Sequence, residues 1–309
     1  MTPTTSRIIS SIQSALPKAG KTVWWLLKII LPISFLVSLM NYWGLIALIA
    51  AWLSPVFSVV GLPGESAIVF ISSIFLSLYA PIAIMATLTL DLREVTILAL
   101  MCLISHNMFV ETAVQKKTGS SAIIMFSLRL FISFLAAFLL NKLLPDHIGV
   151  NMVSEESVVY QSFISMFVAW IVSSAWLILK ITLIVTGLLL LQNILKEFRI
   201  IDLISKPSAP LMKVMGLSPD TSFLWFVAQI VGLTYGSVVM IEEVQRGDIQ
   251  PRAADLLNYH IAINHSLLED TLLFVAVGVP AVWITFPRIF LAIAAVWTVR
   301  LFWRLRSSY

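Results

Sequence analysis

Long apolar runs separated by short polar segments extend along almost the whole chain. Several runs reach the ~20 residues that an α-helix needs to cross a bilayer. Two runs carry a helix-breaking motif near their centre, LYAP in the run at about 65–90 and TYGS in the run at about 218–242. Each arm of these two runs is too short to span a membrane, which predicts re-entrant helical hairpins.

The order of runs predicts an all-α integral membrane protein of two similar units, residues 1–150 and 151–309. We expect each unit to contain an interfacial helix, one crossing, a re-entrant hairpin and two further crossings. The elements predicted for the first unit lie at about 7–22, 24–50, 65–90, 95–114 and 121–144. Those predicted for the second unit lie at about 155–172, 174–195, 218–242, 254–278 and 284–304.

A constant spacing of polar residues supports the two-unit organisation, because internal repeats mark duplicated units. Glu111-Thr112 and Asp270-Thr271 are 159 positions apart, as are Arg129 and Arg288. The same spacing relates the two histidines of SHN (105–107) and NHS (264–266), and GLPGES at 61–66 resembles GLSPDT at 216–221.

Each unit has three crossings, so the second unit enters the membrane from the opposite side and the two repeats are inverted. The positive-inside bias tests this arrangement. All basic clusters fall on one side, including Lys116-Lys117, and the acidic loop with Glu155 and Glu156 falls on the other. We therefore predict a multi-pass protein of a bacterial-type inner membrane with both termini in the cytoplasm.

The amino-acid composition agrees with a membrane protein and limits the functions that we expect of the chain. Of the 309 residues, 59% are hydrophobic and only 12% are charged, roughly half the charged fraction of a soluble domain. The net charge of +4 requires no nucleic-acid partner, and Cys102 is the one cysteine, which excludes an internal disulfide. The chain contains no P-loop, HExxH or GxSxG motif, so we predict that it is not an enzyme.

Polar side chains at the centre of two predicted crossings are the strongest functional signal. Buried polar groups are costly in hydrocarbon, so they indicate a site that faces protein. Inversion would bring the two segments together at the bilayer midplane, where transporters of inverted repeats bind substrate. The candidate substrate-binding residues here are Ser105, His106, Asn107, Asn264, His265 and Glu269.

The tips of the two predicted hairpins supply further candidates. A helix that begins after each break, at about Pro81 or Ser237, would direct free backbone N–H groups into the protein. The candidate residues at the tips are Tyr79, Tyr235, Gly236 and Ser237.

Two buried ion pairs are predicted beside this centre. Arg129 follows Glu111 by 18 residues, and Arg288 follows Asp270 by the same number. In each pair the acid and the base lie on opposite sides of a short turn between antiparallel crossings. The two side chains are therefore expected at the same depth in the membrane. Pairing would offset the cost of burying either charge alone.

The combination of GLPGES, LYAP and a polar SHNMFVET helix resembles the Gate, or nucleoside-recognition, membrane domain. Relatives of that domain include spore maturation membrane proteins, gate regions of the ferrous-iron transporter and, distantly, the concentrative nucleoside transporters. The resemblance implies a secondary transporter with an elevator-like movement. It also implies a nucleoside-like or other small polar solute as substrate.

Other functions stay open at this point. Imidazole and carboxylate groups also suit a divalent metal ion, for which His106, His265 and Glu269 are candidate ligands. A lipid-linked substrate is a third class, and a non-transporting partner of another Gate protein is a different function. We expect no cofactor other than a coupling Na⁺ or H⁺, contact with membrane lipid, and assembly either with itself or with a second Gate-domain protein.

Overall fold

The computed structural model describes residues 3–145, 148 and 162–306, and within these ranges every regular element is helical. The α-helices are α1 Pro3–Tyr42, α2 Leu45–Ser58, α3 Ser66–Phe75, α4 Tyr79–Met85, α5 Leu92–Ser105, α6 Met108–Lys117, α7 Ala122–Leu143, α8 Phe163–Glu197, α9 Ile200–Ser205, α10 Ala209–Val214, α11 Ser222–Ile230, α12 Leu233–Arg246, α13 Pro251–Ile263, α14 Glu269–Val275 and α15 Ala281–Arg306.

Five helical stretches among the described residues are long and apolar enough to cross a membrane. They are Ile9–Tyr42, Leu92–Lys117, Ala122–Leu143, Phe163–Leu195 and Ala281–Arg306. The sequence predicted six crossings. The predicted crossing at about 254–278 does not qualify as a continuous span because the helix is interrupted between Ile263 and Glu269.

The interfacial helix predicted at 7–22 is not a separate element. It continues without a break into the first crossing as α1, which ends only before Gly44, a residue with φ of 73°. Polar residues such as Lys18 and Lys21 do not end a helix by themselves, whereas a left-handed backbone does. The second predicted interfacial helix likewise merges with α8, and its residues 155–161 lie outside the described part of the chain.

Both predicted hairpins contain a helix break. The first break separates α3 from α4 at residues 76–78, just before most of the LYAP motif. Tyr79 and Pro81 therefore lie within α4, and the helix begins before the predicted Pro81. The second separates α11 from α12 at Gly232, whose φ is 98°. This corrects the prediction of a break at TYGS, because Tyr235, Gly236 and Ser237 lie within α12, and the structure describes only their backbone.

The two helices that carry the polar centre also form the centre of the fold. All residues of 95–106 are buried, and so are all residues of 256–266. Helix α5 packs against α7, α13 packs against α15, and α15 also contacts α5 and α7. The long helices α1 and α8 pack on each other at the periphery, where large apolar side chains such as Trp24, Trp25 and Trp176 are exposed, as expected for a surface that faces lipid.

One close backbone contact near the first hairpin provides a test of the packing. A Cβ atom added at Gly64 would collide with the backbone carbonyl of Ala50 in α2. We expect Gly64→Ala to lower the free energy of unfolding by about 1–3 kcal/mol, since backbone atoms cannot move aside as a side chain can. Thermal unfolding of the protein in detergent would measure the loss.

Gly187→Ala is the matched control for this change. Gly187 lies within α8, and a Cβ there meets nothing within 4 Å. Alanine should stabilise the helix at that position by up to about 1 kcal/mol. Equal effects of the two substitutions would contradict the predicted packing.

Candidate functional site

The two central helices break at corresponding positions, next to two histidines that are 159 residues apart. Helix α5 ends at Ser105 and α6 begins at Met108, while α13 ends at Ile263 and α14 begins at Glu269. Asn107 and Ser266 both have φ of 48°, a left-handed conformation that is uncommon for residues other than glycine. Each central helix therefore turns sharply just after its histidine.

Each turn is held by a short helix of the same half, α3 with the residue that follows it for the first turn and α11 for the second. The backbone N–H of Asn107 donates to the carbonyls of Ser73 and Leu76, at 2.8 and 3.0 Å. The N–H of Ser266 donates to the carbonyl of Ala228 in α11, at 3.0 Å. These bonds satisfy backbone groups that a helix break exposes.

His106 and His265 meet at the breaks, with their Nε2 atoms 3.4 Å apart. The Nδ1 atom of His106 lies 3.3 Å from the carbonyl oxygen of Cys102, and that of His265 lies 2.7 Å from the carbonyl oxygen of Ile261. A carbonyl oxygen only accepts hydrogen bonds, so each Nδ1 carries a proton. In the neutral form each Nε2 then has a free lone pair directed towards the other ring.

Arg129 is fully buried and holds the first break together. Its Nε donates to the carbonyl of Ile104 and its Nη2 to the carbonyl of His106, both at 2.7 Å. Its Nη1 lies 2.7 Å from Oε2 of Glu111, without the alignment of a hydrogen bond. Arg129 therefore caps the end of α5 and also contacts Glu111, its predicted partner.

Glu111 also contacts both histidines. Its Oε1 lies 3.2 Å from Nε2 of His106, and its Oε2 lies 3.4 Å from Nε2 of His265. One carboxylate on α6 thus lies against imidazoles from both halves of the chain.

The predicted ion pair between Asp270 and Arg288 is wrong, since no such contact within 4 Å occurs between these two described residues. Nη2 of Arg288 donates to Oγ1 of Thr271 at 2.7 Å, and its Nε donates to the carbonyl of Ile284. Thr271 is one residue further along α14 than Asp270, so it faces another direction on the helix. Oδ2 of Asp270 lies 3.5 Å from Nε2 of His106 and has no hydrogen-bond partner among the described residues.

Glu269 lies apart from the histidine pair. Its Oε1 accepts a hydrogen bond from the hydroxyl of Tyr79 at 3.2 Å, and its Oε2 accepts one from Nε2 of Gln192 at 3.1 Å. Among the metal ligands predicted from sequence, the structure therefore replaces Glu269 with Asp270, whose oxygen groups with the two histidines. Tyr79 joins a hairpin to this polar layer.

Ser105 and Asn264 are buried beside the histidines. Oγ of Ser105 lies 3.5 Å from the carbonyl of Arg129. The side-chain amide of Asn264 has no hydrogen-bond partner within the described ranges, although the backbone carbonyl of Asn264 accepts from Nε2 of Gln229 at 2.7 Å. Asn264 thus presents both an unpaired donor and an unpaired acceptor.

Sequence reasoning missed two polar residues that join elements of the fold. Gln192 lies in the apolar helix α8 and bonds to Glu269 and Ile230 within the second half, and the argument from polar groups in hydrocarbon could have identified it. Nδ2 of Asn258 donates to Thr118 and Ser120, both at 2.8 Å, and so joins α13 to the turn after α6. Their scattered positions give no repeated pattern in the sequence.

The comparisons with known proteins agree with this description. Residues 23–139 match the model of the Gate family, described as nucleoside recognition. This part of the chain is therefore similar to the Gate domain, and the protein is a membrane protein with several apolar helices. The resemblance inferred from its sequence is confirmed over that range, which contains His106, Glu111 and Arg129.

The second half of the chain, with His265, lies outside the matched range. The chain is similar to the uncharacterized membrane protein YvoD of Bacillus subtilis (strain 168), with 28% identity over 266 residues, which is 85% of each chain. No solved structure gives a significant match.

The contact between Glu111 and Arg129 leads to a testable prediction. Removing one partner of a buried pair leaves an uncompensated charge, so Glu111→Gln and Arg129→Gln should each lower the free energy of unfolding by about 3–5 kcal/mol. The double variant should lose clearly less than the sum of the two, because neither charge is then left alone. Equilibrium unfolding in detergent would measure this coupling.

The exposed pair of Arg199 and Asp202, 2.7 Å apart, is the control. Neutralising both partners there should change stability by at most about 1 kcal/mol. Purely additive losses for Glu111 and Arg129 would contradict the coupling.

Proposed function

We propose that this protein is a secondary transporter built of two inverted repeats, with its transport centre where His106 and His265 meet. The observation that carries the proposal is the 3.4 Å separation of two histidines that lie 159 residues apart at breaks in two central helices. Transporters of inverted repeats bind substrate near the midplane, at discontinuous helices.

Corresponding backbone features support the inverted repeat. Asn107 and Ser266 are 159 residues apart, as the two histidines are, and both have a φ of 48°. Each of them donates its backbone N–H to the helix that precedes a hairpin break. On this proposal the segments α3–α4 and α11–α12 are re-entrant hairpins that enter from opposite faces.

The proposed membrane placement follows from charge. The basic residues cluster in short segments that inverted topology assigns to one side, which we propose is the cytoplasm. Both termini then lie inside a bacterial-type inner membrane. Burial of the polar centre away from lipid supports transport rather than a lipid-facing or enzymatic role.

We propose a nucleoside-like or other small polar solute as the substrate class. The description of the matched family, nucleoside recognition, supports it. The unpaired amide of Asn264 offers one donor and one acceptor, which suits a nucleobase edge or a hydroxyl group. Tyr79, Glu269 and Gln192, which are hydrogen-bonded to one another, supply further buried or half-buried polar atoms.

Uptake into proteoliposomes tests this proposal. Liposomes with the purified protein should accumulate labelled nucleosides, driven by a gradient of Na⁺ or H⁺. His106→Ala, His265→Ala and Asn264→Ala should each lower the initial rate about tenfold or more, since a buried polar group left unpaired weakens binding by ~1–3 kcal/mol.

His260→Ala is the matched control, because His260 is buried in α13 and accepts a hydrogen bond from Trp225, away from the centre. Monodisperse elution in detergent would establish that each variant folds. Normal uptake in a folded His106→Ala variant would refute the site. Absence of uptake of every solute tested would favour a non-transporting partner of another Gate protein.

A further inference from the structure

We infer that the transport centre binds a divalent transition-metal ion through His106, His265 and Asp270. The inference concerns binding and depends only on the atoms of these side chains. Whether the ion is itself carried across the membrane rests on the proposed function.

The imidazole pair needs a cation between its rings. Both Nδ1 atoms donate to backbone carbonyls, so in the neutral state two Nε2 lone pairs face each other at 3.4 Å. Lone pairs at this distance repel each other unless a positive charge lies between them. A histidine that ligates a metal commonly donates its other N–H to a carbonyl or carboxylate, and both rings have this arrangement.

Asp270 supplies the third donor atom. Its Oδ2 lies 3.5 Å from Nε2 of His106, and one atom from each of the three residues lies within 4.8 Å of the others. The side chain of Asp270 is only 9% exposed, and its Oδ2 has no hydrogen-bond partner among the described residues. A buried carboxylate oxygen without a partner is costly, and a metal ion would satisfy it.

The separations of the donor atoms fit a tetrahedral ion. Metal–nitrogen bonds of ~2.0–2.1 Å place neighbouring ligand atoms about 3.3–3.4 Å apart in a tetrahedron. The two contacts of His106, 3.4 Å to His265 and 3.5 Å to Asp270, are close to this value. The donor atoms of His265 and Asp270 lie within 4.8 Å of each other.

The pairing of charges around the centre favours a cation beside Asp270. Two buried carboxylates, those of Glu111 and Asp270, accompany two buried guanidiniums, those of Arg129 and Arg288. These four charges balance in number but are not paired evenly. Arg129 already contacts Glu111, whereas Asp270 lacks an ionic contact with an arginine within 4 Å in the described structure.

The donor set also indicates the kind of ion. Two imidazole nitrogens and one carboxylate oxygen suit Zn²⁺, Fe²⁺, Co²⁺ or Mn²⁺, while Mg²⁺ and Ca²⁺ prefer oxygen ligands alone. Three protein ligands leave a fourth position available to water or a solute. Glu111, with oxygens 3.2 and 3.4 Å from the two Nε2 atoms, borders that position.

Co²⁺ titration of the full-length protein tests the inference. The protein would be purified in detergent, stripped with a chelator and titrated with Co²⁺, whose tetrahedral complexes absorb visible light strongly. We expect one ion per chain with a tetrahedral spectrum, displaced by Zn²⁺. Asp270→Asn, which keeps the side-chain shape, should weaken binding about 100-fold or more, and His106→Ala and His265→Ala should abolish the spectrum.

His260→Ala should bind Co²⁺ as the wild type does, since His260 lies outside the centre. If the folded wild-type protein binds no Co²⁺ or Zn²⁺, a shared proton rather than a metal satisfies the histidines and the inference is wrong. Unchanged binding in Asp270→Asn would likewise overturn the assigned ligands.

Flux measurements separate this inference from the proposed function. Uptake of labelled Zn²⁺ into proteoliposomes would make the metal the substrate, whereas binding without metal flux would make it a resident ion. Failure to bind metal, with solute uptake that depends on His106, would overturn the inference and leave the transporter standing. Metal binding without uptake of any solute or metal would support the inference and overturn the proposed transport function.

Discussion

Two fully buried arginines stabilise the broken helices on which the rest of the centre depends. A helix that stops inside hydrocarbon exposes carbonyl groups that lipid cannot satisfy. Arg129 donates to the carbonyls of Ile104 and His106, and Arg288 donates to that of Ile284 and lies 3.5 Å from that of His265. The bond to Ile284 lies within α15 and orients Arg288. Because the contacts with Ile104, His106 and His265 hold the chain just before each turn, they also fix where the two histidines lie.

The guanidiniums in turn require neutralisation and shielding. Glu111 lies against Arg129, and Thr271 accepts from Arg288. The surrounding helices keep water and lipid away, since α5 and α13 are buried on all sides at the relevant residues. The long helices α1 and α8 lie further out and expose large apolar side chains.

The two halves differ in the contacts that their carboxylates make beside the histidines. Glu111 contacts Arg129 and both histidines, whereas Asp270 contacts His106 and leaves Arg288 to Thr271. Equivalent positions of a repeated pattern therefore carry one neutralised and one unpaired carboxylate. This asymmetry leaves the carboxylate of Asp270 without an arginine within 4 Å in the described part of the chain, and the proposed cation would supply the positive charge there.

The sequence by itself determined the class of the protein and the main residues of its centre. Apolar runs identify a membrane protein, and the spacing of 159 residues selects His106, His265, Glu111 and Arg129, because polar groups in hydrocarbon occur only where protein surrounds them. Helix ends were harder to predict, since nearly every helix face is apolar and periodicity carries little information.

Only the tertiary structure decided which groups meet. The α11–α12 break lies at Gly232 rather than at Tyr235, because backbone conformation and not composition ends that helix. A difference of one residue on α14 decides that Thr271, and not Asp270, contacts Arg288. Such choices depend on side-chain direction after packing, which no spacing along the chain specifies.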